Sequence, residues 1–471
     1  MAYTKKIVLN TIIQIIGKII TTTISVIMLA YLARYLGVFG YGQYTTVFAF
    51  LTFFAIVADM GFYTISIREM SHSKEDSQKI MGNIFSLRII FAIFFLLLAP
   101  VVGYFIPQYS SVIKICFWIA SFSNFFTLLN QLLVSIFQVN FKMSNMVISD
   151  IVSRIVLFMV TMVFIKMNLS LEFFVLSSVI ANFSAFAVSL ALSRKFLKFS
   201  LKLDIKYCKY ILREAVPIGI IIVLGLIYFK IDTIMLSIMK DSTAVGIYGA
   251  PYKILEIFIT LPSMFMGSVF PLIARYYKEK DERIRDSFYK SFDFISIMAF
   301  PILIGTFVLA KQITLLVLGG DFIASALVLQ YLVFAVFIIF YGTIMGNFVI
   351  ASNLQKKLLP IYIISVFVNI FGNLILIPSY SYIGSSISTI LTEAFVCFSA
   401  YLLVYNNLKL IPNFKVFFKS MFSALLMGLL VYLIRDLNII ISIFSGAIVY
   451  CLVMYVSGGI NRNTIREIIK N

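Results

Sequence analysis

Long apolar runs follow one another through nearly the whole of this 471-residue chain, and short polar segments between them hold most of its charge. No other feature constrains the fold as tightly. A helix rises 1.5 Å per residue, so about 20 apolar residues cross a hydrocarbon core of about 30 Å. Fourteen runs of that length can be marked. They begin at 7–33 and 43–67, include 212–238 and 247–274 in mid-chain and 358–378 and 382–405 later, and end at 416–434 and 438–457. None alternates with the period of two that a membrane barrel requires, and in lipid each backbone polar group must be bonded internally. The expected fold is an all-α polytopic membrane protein of about 14 transmembrane helices. Only 12% of the residues are charged, half the share of about 25% in a soluble chain. The connectors leave no room for a soluble catalytic domain.

Charge tests this map independently. An even number of spans puts both termini on one side. That side receives Lys5, Lys6, Arg68, Lys74, Lys79 and Lys142, seven cations in 194–213, six in 275–290, and a last group that ends with Arg462, Arg466 and Lys470. It collects 27 of the 38 Lys and Arg, against six on the other side, while five fall inside spans. Cytoplasmic loops gather Lys and Arg, so both termini are expected in the cytoplasm and the chain in the plasma membrane. The formal charge of +18 then follows from loop bias and calls for no nucleic acid. The start, MAYTKK, runs into an apolar stretch without a small-residue cleavage site and reads as a first span rather than a removed signal.

A weak repeat organises the spans. Gly42-Gln43-Tyr44 follows the first span and Gly246-Ile247-Tyr248 follows the seventh, with the same orientation expected at both. Parallel repeats related by an axis along the membrane normal are a transporter architecture. The expected domains are a six-helix bundle over 1–200, a second over 201–410, and two further helices with a tail over 411–471.

Little in the sequence supports catalysis. No GxxxxGK[ST] loop is present. His72 is the only histidine, and Cys116, Cys208, Cys397 and Cys451 lack metal spacing; no cofactor or metal is expected. The informative residues are charges within spans, which are expensive in hydrocarbon unless paired or hydrated. The five cations are Lys18, Arg88, Arg154, Lys230 and Lys253. Lys18 lies about 11 residues into its span, roughly 16 Å deep at 1.5 Å per residue, with no acid within a turn. Asp150 and Arg154, four apart, can neutralise each other, as can Lys253 and Glu256, three apart. Arg88 can snorkel from near a helix end. Lys230 and Asp232 are two apart and point to different faces. The five cations are the candidate anion-binding set. Asp59, Asp232, Glu256 and Glu393 are candidates for coupling to a proton or Na⁺, with Asp59, Asp232 and Glu393 alternatively the partners of cations on other helices.

The chain resembles the lipid-linked oligosaccharide flippases of Wzx type, in the multidrug/oligosaccharidyl-lipid/polysaccharide exporter superfamily. The resemblance rests on an ordered set of residues. In the first half these are Asn10, Gly17, the run Tyr31-Leu32-Ala33-Arg34-Tyr35-Leu36-Gly37, Tyr41 to Tyr44, and Asp59-Met60-Gly61 before Arg68. In the second half they are Lys230 to Leu236, Gly246-Ile247-Tyr248, Asn369, Asn373, Leu376-Ile377-Pro378, Gly384 and Glu393. The resemblance implies two lobes in a MATE-like arrangement. It also implies alternating access that turns undecaprenyl-pyrophosphate-linked sugar units to the outer leaflet for surface polysaccharide assembly. Cationic cavity residues belong to that picture, with Lys18, Lys230 and Lys253 in fitting positions. The partners it implies are a polyprenyl-linked oligosaccharide, membrane lipid, and a polysaccharide polymerase with other assembly proteins. Peptidoglycan-precursor and multidrug exporters of the superfamily, and a non-transporting scaffold, are the alternatives.

Overall fold

The structure is a computed structural model that describes residues 2–72, 77–198 and 200–459, and no side chain at 2–12, 72, 218, 221, 226 or 228. Lys74, Arg462, Arg466, Lys470 and the side chains of Lys5, Lys6, Asn10 and His72 lie outside that description, and nothing in it gives the side of the membrane on which either terminus lies. Thirteen α-helices occupy the described chain: α1 (Ala2–Asp59), α2 (Phe62–His72), α3 (Ser77–Tyr104), α4 (Ser111–Val139), α5 (Met143–Lys166) and α6 (Leu171–Ser193). After them come α7 (Ile205–Met239), α8 (Ser242–Glu279), α9 (Arg283–Val317), α10 (Ser325–Ala351), α11 (Leu358–Leu408), α12 (Phe414–Leu433) and α13 (Ile439–Val456). No strand occurs among the described residues. The chain is an all-α, multi-pass membrane protein.

Eleven described helices are long and apolar enough to cross a membrane, or twelve with α7, which bends by 57° between Ile205–Gly225 and Phe229–Met239. The expected fourteen spans map onto these helices only if α1 and α11 each contain two. Both are broken. The helical path of α1 is interrupted at Gly37 (φ 63°, ψ −179°) and that of α11 at Ser381 (φ 50°, ψ −129°). In α11 the break reverses the chain: the Ser388 hydroxyl donates to the Asn369 carbonyl at 3.1 Å, whereas 19 residues of straight helix would separate them by about 28 Å. The helix count itself does not establish fourteen.

By packing, the chain forms two compact units, 1–246 and 247–471. The first unit runs through α7 into the start of α8. The reason is that α7 lies along α1, α2 and α3. Its start is pinned there as well: Asp204 donates its backbone N–H to Asn83 Oδ1 at 2.7 Å and its carboxylate lies 3.5 Å from Lys79. In the first unit, one core joins Phe62, Ile65, Met81, Ile84, Leu132 and Ile211, all nearly or fully buried. Helices meet through small polar residues, as membrane helices do. Ser189 donates to Ser149 at 2.8 Å, and Asn182 to Ser123 at 2.8 Å. In the second unit α12 and α13 pack on α9 around Phe300, Met427, Val431 and Tyr450. Large apolar side chains such as Phe94, Phe105 and Phe444 remain exposed on the outer faces, where hydrocarbon is their natural solvent.

The repeat has a physical counterpart. A Cβ on Gly42 would sit 1.7 Å from the Ser242 carbonyl oxygen, and a Cβ on Gly246 would sit 2.0 Å from that of Val38. Val38 and Ser242 are separated by the same 204 residues as Gly42 and Gly246, so each copy of the motif presses its glycine on the other copy. Both then place an aromatic pair one turn on, Tyr44 with Phe48 and Tyr248 with Tyr252, at 4.7 and 5.5 Å between ring centroids.

Candidate functional site

The first unit gathers three of the intramembrane charges at one seam. Gly17 of α1 lies against Val147 of α5, where a Cβ would come within 2.3 Å of a Val147 methyl. Beside this crossing stand Lys18, Asp150 and Arg154, all exposed. The charges of Arg154 and, more weakly, Lys18 act on the Asp150 carboxylate. No ion pair within 4.0 Å joins them among the described residues, so the expected closed pair of Asp150 and Arg154 does not form. The seam carries two cations and one acid that remain open to a ligand. Tyr44, farther along α1, also feels the charge of Arg154.

Arg88 is placed quite differently. Its side chain is wholly buried, it ion-pairs with Asp59 through Nη1, and Nη2 donates to Gln131 Oε1 at 2.7 Å. It does not snorkel. Asp59, expected as a coupling site or as the partner of a cation on another helix, is its counter-ion. This tie joins α1, α3 and α4 and stands apart from any exposed seam. On α7, Asp232 is 1% exposed, and the Lys230 ammonium lies 5.5 Å from the centre of the Phe229 ring.

In the second unit Lys253 and Glu256 close the expected pair at 2.6 Å, with Lys253 more than half exposed. Glu393 is 6% exposed on the second limb of α11. Around that hairpin the sequence reading missed a buried polar ladder. Asn373 donates to Asn369 Oδ1 at 2.9 Å, Ser388 donates to the Asn369 carbonyl, and Tyr248 meets Thr389 at 3.1 Å. Individually these residues look like ordinary helix polar residues. Only the reversal at Ser381 assembles them, although Asn369 and Asn373, four apart, do mark one face. Asp293 of α9 was also missed. Its Oδ1 is buried without a hydrogen-bond partner. Among the described residues no three His, Cys, Asp or Glu side chains gather where a metal could bind.

The polysaccharide biosynthesis protein family matches residues 7–277, more than half of the chain. The chain belongs to this family. A MatE family match over 217–375 overlaps it and carries the likeness into the second unit. Two curated relatives come from Haloferax volcanii. "Probable flippase AglR" is 23% identical over 239 residues, 48% of this chain and 50% of its own. "Probable low-salt glycan biosynthesis flippase Agl15" is 22% identical over 256 residues, 52% and 54% of the two chains. The chain thus spans about half the length of the curated relatives it matches. The fold is similar to that of the lipid II flippase MurJ in an inward closed conformation, with TM-score 0.78 and 16% identity over 95% of this chain and 98% of that one. An inward-facing multidrug resistance MATE transporter follows at TM-score 0.64 and 13% identity, covering 83% and 98%. These likenesses carry the fold and agree with the expected MATE-like class.

Proposed function

We propose that this protein is a flippase that turns an anionic, lipid-linked oligosaccharide from the cytoplasmic to the outer leaflet of the plasma membrane by alternating access. The observation that carries the reading is the exposed seam of Lys18, Asp150 and Arg154. Ionised side chains deep in a span are stable only beside water or a counter-charge, and this set has an excess of one cation for an incoming anion. A polyprenyl pyrophosphate is the matching headgroup, with undecaprenyl as the carrier. The flippase names of the curated relatives support the same class. Lys230 and Lys253 extend the cationic set, Lys253 with its charge partly offset by Glu256. Arg88 belongs with its partner Asp59 as a structural tie. Asp232 and Glu393, both buried, are the coupling candidates that remain. Both termini lie in the cytoplasm, as loop charge requires.

The decisive assay reconstitutes the chain in liposomes with a fluorescent polyprenyl-pyrophosphate-linked sugar and measures how fast the label becomes accessible to an outside quencher. Charge-assisted hydrogen bonds to a ligand contribute roughly 1.5–3 kcal/mol each, so Lys18→Gln with Arg154→Gln should slow the transfer by at least about tenfold. Absence of protein-dependent transfer in the unaltered chain sinks the flippase reading and favours a scaffold. In the same system Asp232→Asn should remove any dependence on an imposed proton or Na⁺ gradient; a dependence that survives places coupling elsewhere.

A further inference from the structure

The cytoplasmic-side end of the second unit contains a cavity of about 620 Å³ between the last turns of α8 and α10. Its volume is within the range of small-ligand pockets. The two walls differ in chemistry. Phe270, Ala274 and Ile350 belong to apolar stretches of α8 and α10, while Lys278 stands in the last turn of α8 and Lys280 and Asn353 lie just beyond the helix ends. The cavity therefore straddles the level at which hydrocarbon gives way to water.

The charge there is uncompensated. Glu279 and Asp281 flank Lys280, but Glu279 is held by Arg275 at 2.9 Å and Asp281 by Arg283 at 2.5 Å. Asp281 is accordingly held below the usual carboxylate range by its bond to Arg283. Neither Lys278 nor Lys280 has an ion-pair partner among the described residues. Two helix C-termini converge here, each worth about half a negative charge, so two lysines more than offset them. The termini are also closed by their own backbone. Lys280 and Asn353 adopt left-handed φ values of 53° and 58°. The N–H groups of Lys280, Asp281, Asn353 and Leu354 cap the last carbonyls at 2.9–3.2 Å. Asn accepts that conformation readily and Lys less so, so the lysine at this mouth sits against its backbone preference.

We propose that this cavity binds a phosphate-bearing amphiphile, its phosphate on Lys278, Lys280 and Asn353 and the start of its chain along Phe270, Ala274 and Ile350. The site is separate from the α1–α5 seam and does not depend on it. Its ligand is either the polyprenyl pyrophosphate of the cargo or an anionic phospholipid of the cytoplasmic leaflet.

Isothermal titration of the full chain in nanodiscs of zwitterionic lipid tests the proposal, in a background of Lys18→Gln with Arg154→Gln that removes both cations of the seam. The probes are farnesyl pyrophosphate, inorganic pyrophosphate and dioctanoylphosphatidylglycerol. Farnesyl pyrophosphate should bind, and Lys278→Gln with Lys280→Gln should weaken it at least about tenfold. Ile350→Gln should weaken farnesyl pyrophosphate and leave inorganic pyrophosphate unchanged, which separates the apolar wall from the charge. Phosphatidylglycerol that binds equally well and is lost in the double variant supports the site and assigns it to phospholipid. Unchanged affinity in the double variant overturns the proposal, and so does inorganic pyrophosphate that binds as tightly as the farnesyl compound. Melting curves of both variants confirm that the chain is folded.

Discussion

Replacing Asp59 with Asn asks how the interior charge of the first unit is held. The substitution keeps the shape of the side chain and an oxygen to accept from Arg88 Nη1, but removes the negative charge. Arg88 is wholly buried, with Gln131 on Nη2 and, among the described residues, no partner for Nε. The guanidinium would thus keep its charge and lose its counter-ion. Removing one partner of a buried pair costs about 3–5 kcal/mol, whereas replacing both by apolar residues of similar volume is often neutral. For a unit this size about 2–4 °C of melting shift accompanies each kcal/mol, which predicts a fall of roughly 6–20 °C for Asp59→Asn. The double variant Asp59→Leu with Arg88→Met should recover most of it. The assay is the fraction of monodisperse protein left after heating in detergent, followed by fluorescence-detected gel filtration. A shift under about 2 °C in the single variant would refute the structural account of the pair. If that variant also lost gradient dependence, Asp59 would return to the coupling role its place in the sequence first suggested.

Three further outcomes are expected. Gly42→Val or Gly246→Val pushes a side chain into backbone carbonyl oxygen, so the crossing must open and stability should fall by about 1–3 kcal/mol; a normal melting curve for either would remove the crossing as a point of close contact. At the start of α7, the N–H of Tyr207 and the Lys79 ammonium hold Asp204 below the usual carboxylate range. A depressed value means that its support is present above the unfolded pKa and is lost as pH falls through the folded one. Protection of the amides in the first turn of α7, corrected for the intrinsic exchange rate at each pH, should therefore fall at acid pH, and Asp204→Asn, which still caps the helix, should flatten that pH dependence; an equal loss of protection in the variant would place the effect elsewhere. Finally, cysteines introduced in a background without reactive thiols should report topology: Ser287→Cys should be shielded from an impermeant outside reagent, and Ser110→Cys and Ser381→Cys should be labelled. The reverse pattern at any of the three would break the proposed orientation.

The amino-acid sequence alone determined the solvent. Apolar runs of span length admit only helices in lipid, because each helix satisfies its own backbone. The 204-residue offset of Gly42 and Gly246 was also legible, since it needs only order along the chain. Pairing within one helix could be read in the same way, and Lys253 with Glu256 closes as its spacing requires. What the sequence could not decide was every partnership between helices. Arg88 and Asp59 are 29 residues apart, and the depth of Arg88 near a helix end suited snorkelling until packing of α1, α3 and α4 buried it. Asp150 and Arg154 had the right spacing yet do not close, and Lys18 of α1 acts on the same carboxylate from across the seam. The reversal at Ser381 was legible from the spans 358–378 and 382–405, but which residues of the two limbs would face each other in the ladder of Asn369, Asn373, Ser388 and Thr389 was not. Periodicity reports which face of a helix is apolar, but in a membrane protein nearly every face is. The tertiary structure alone decides which polar residue meets which.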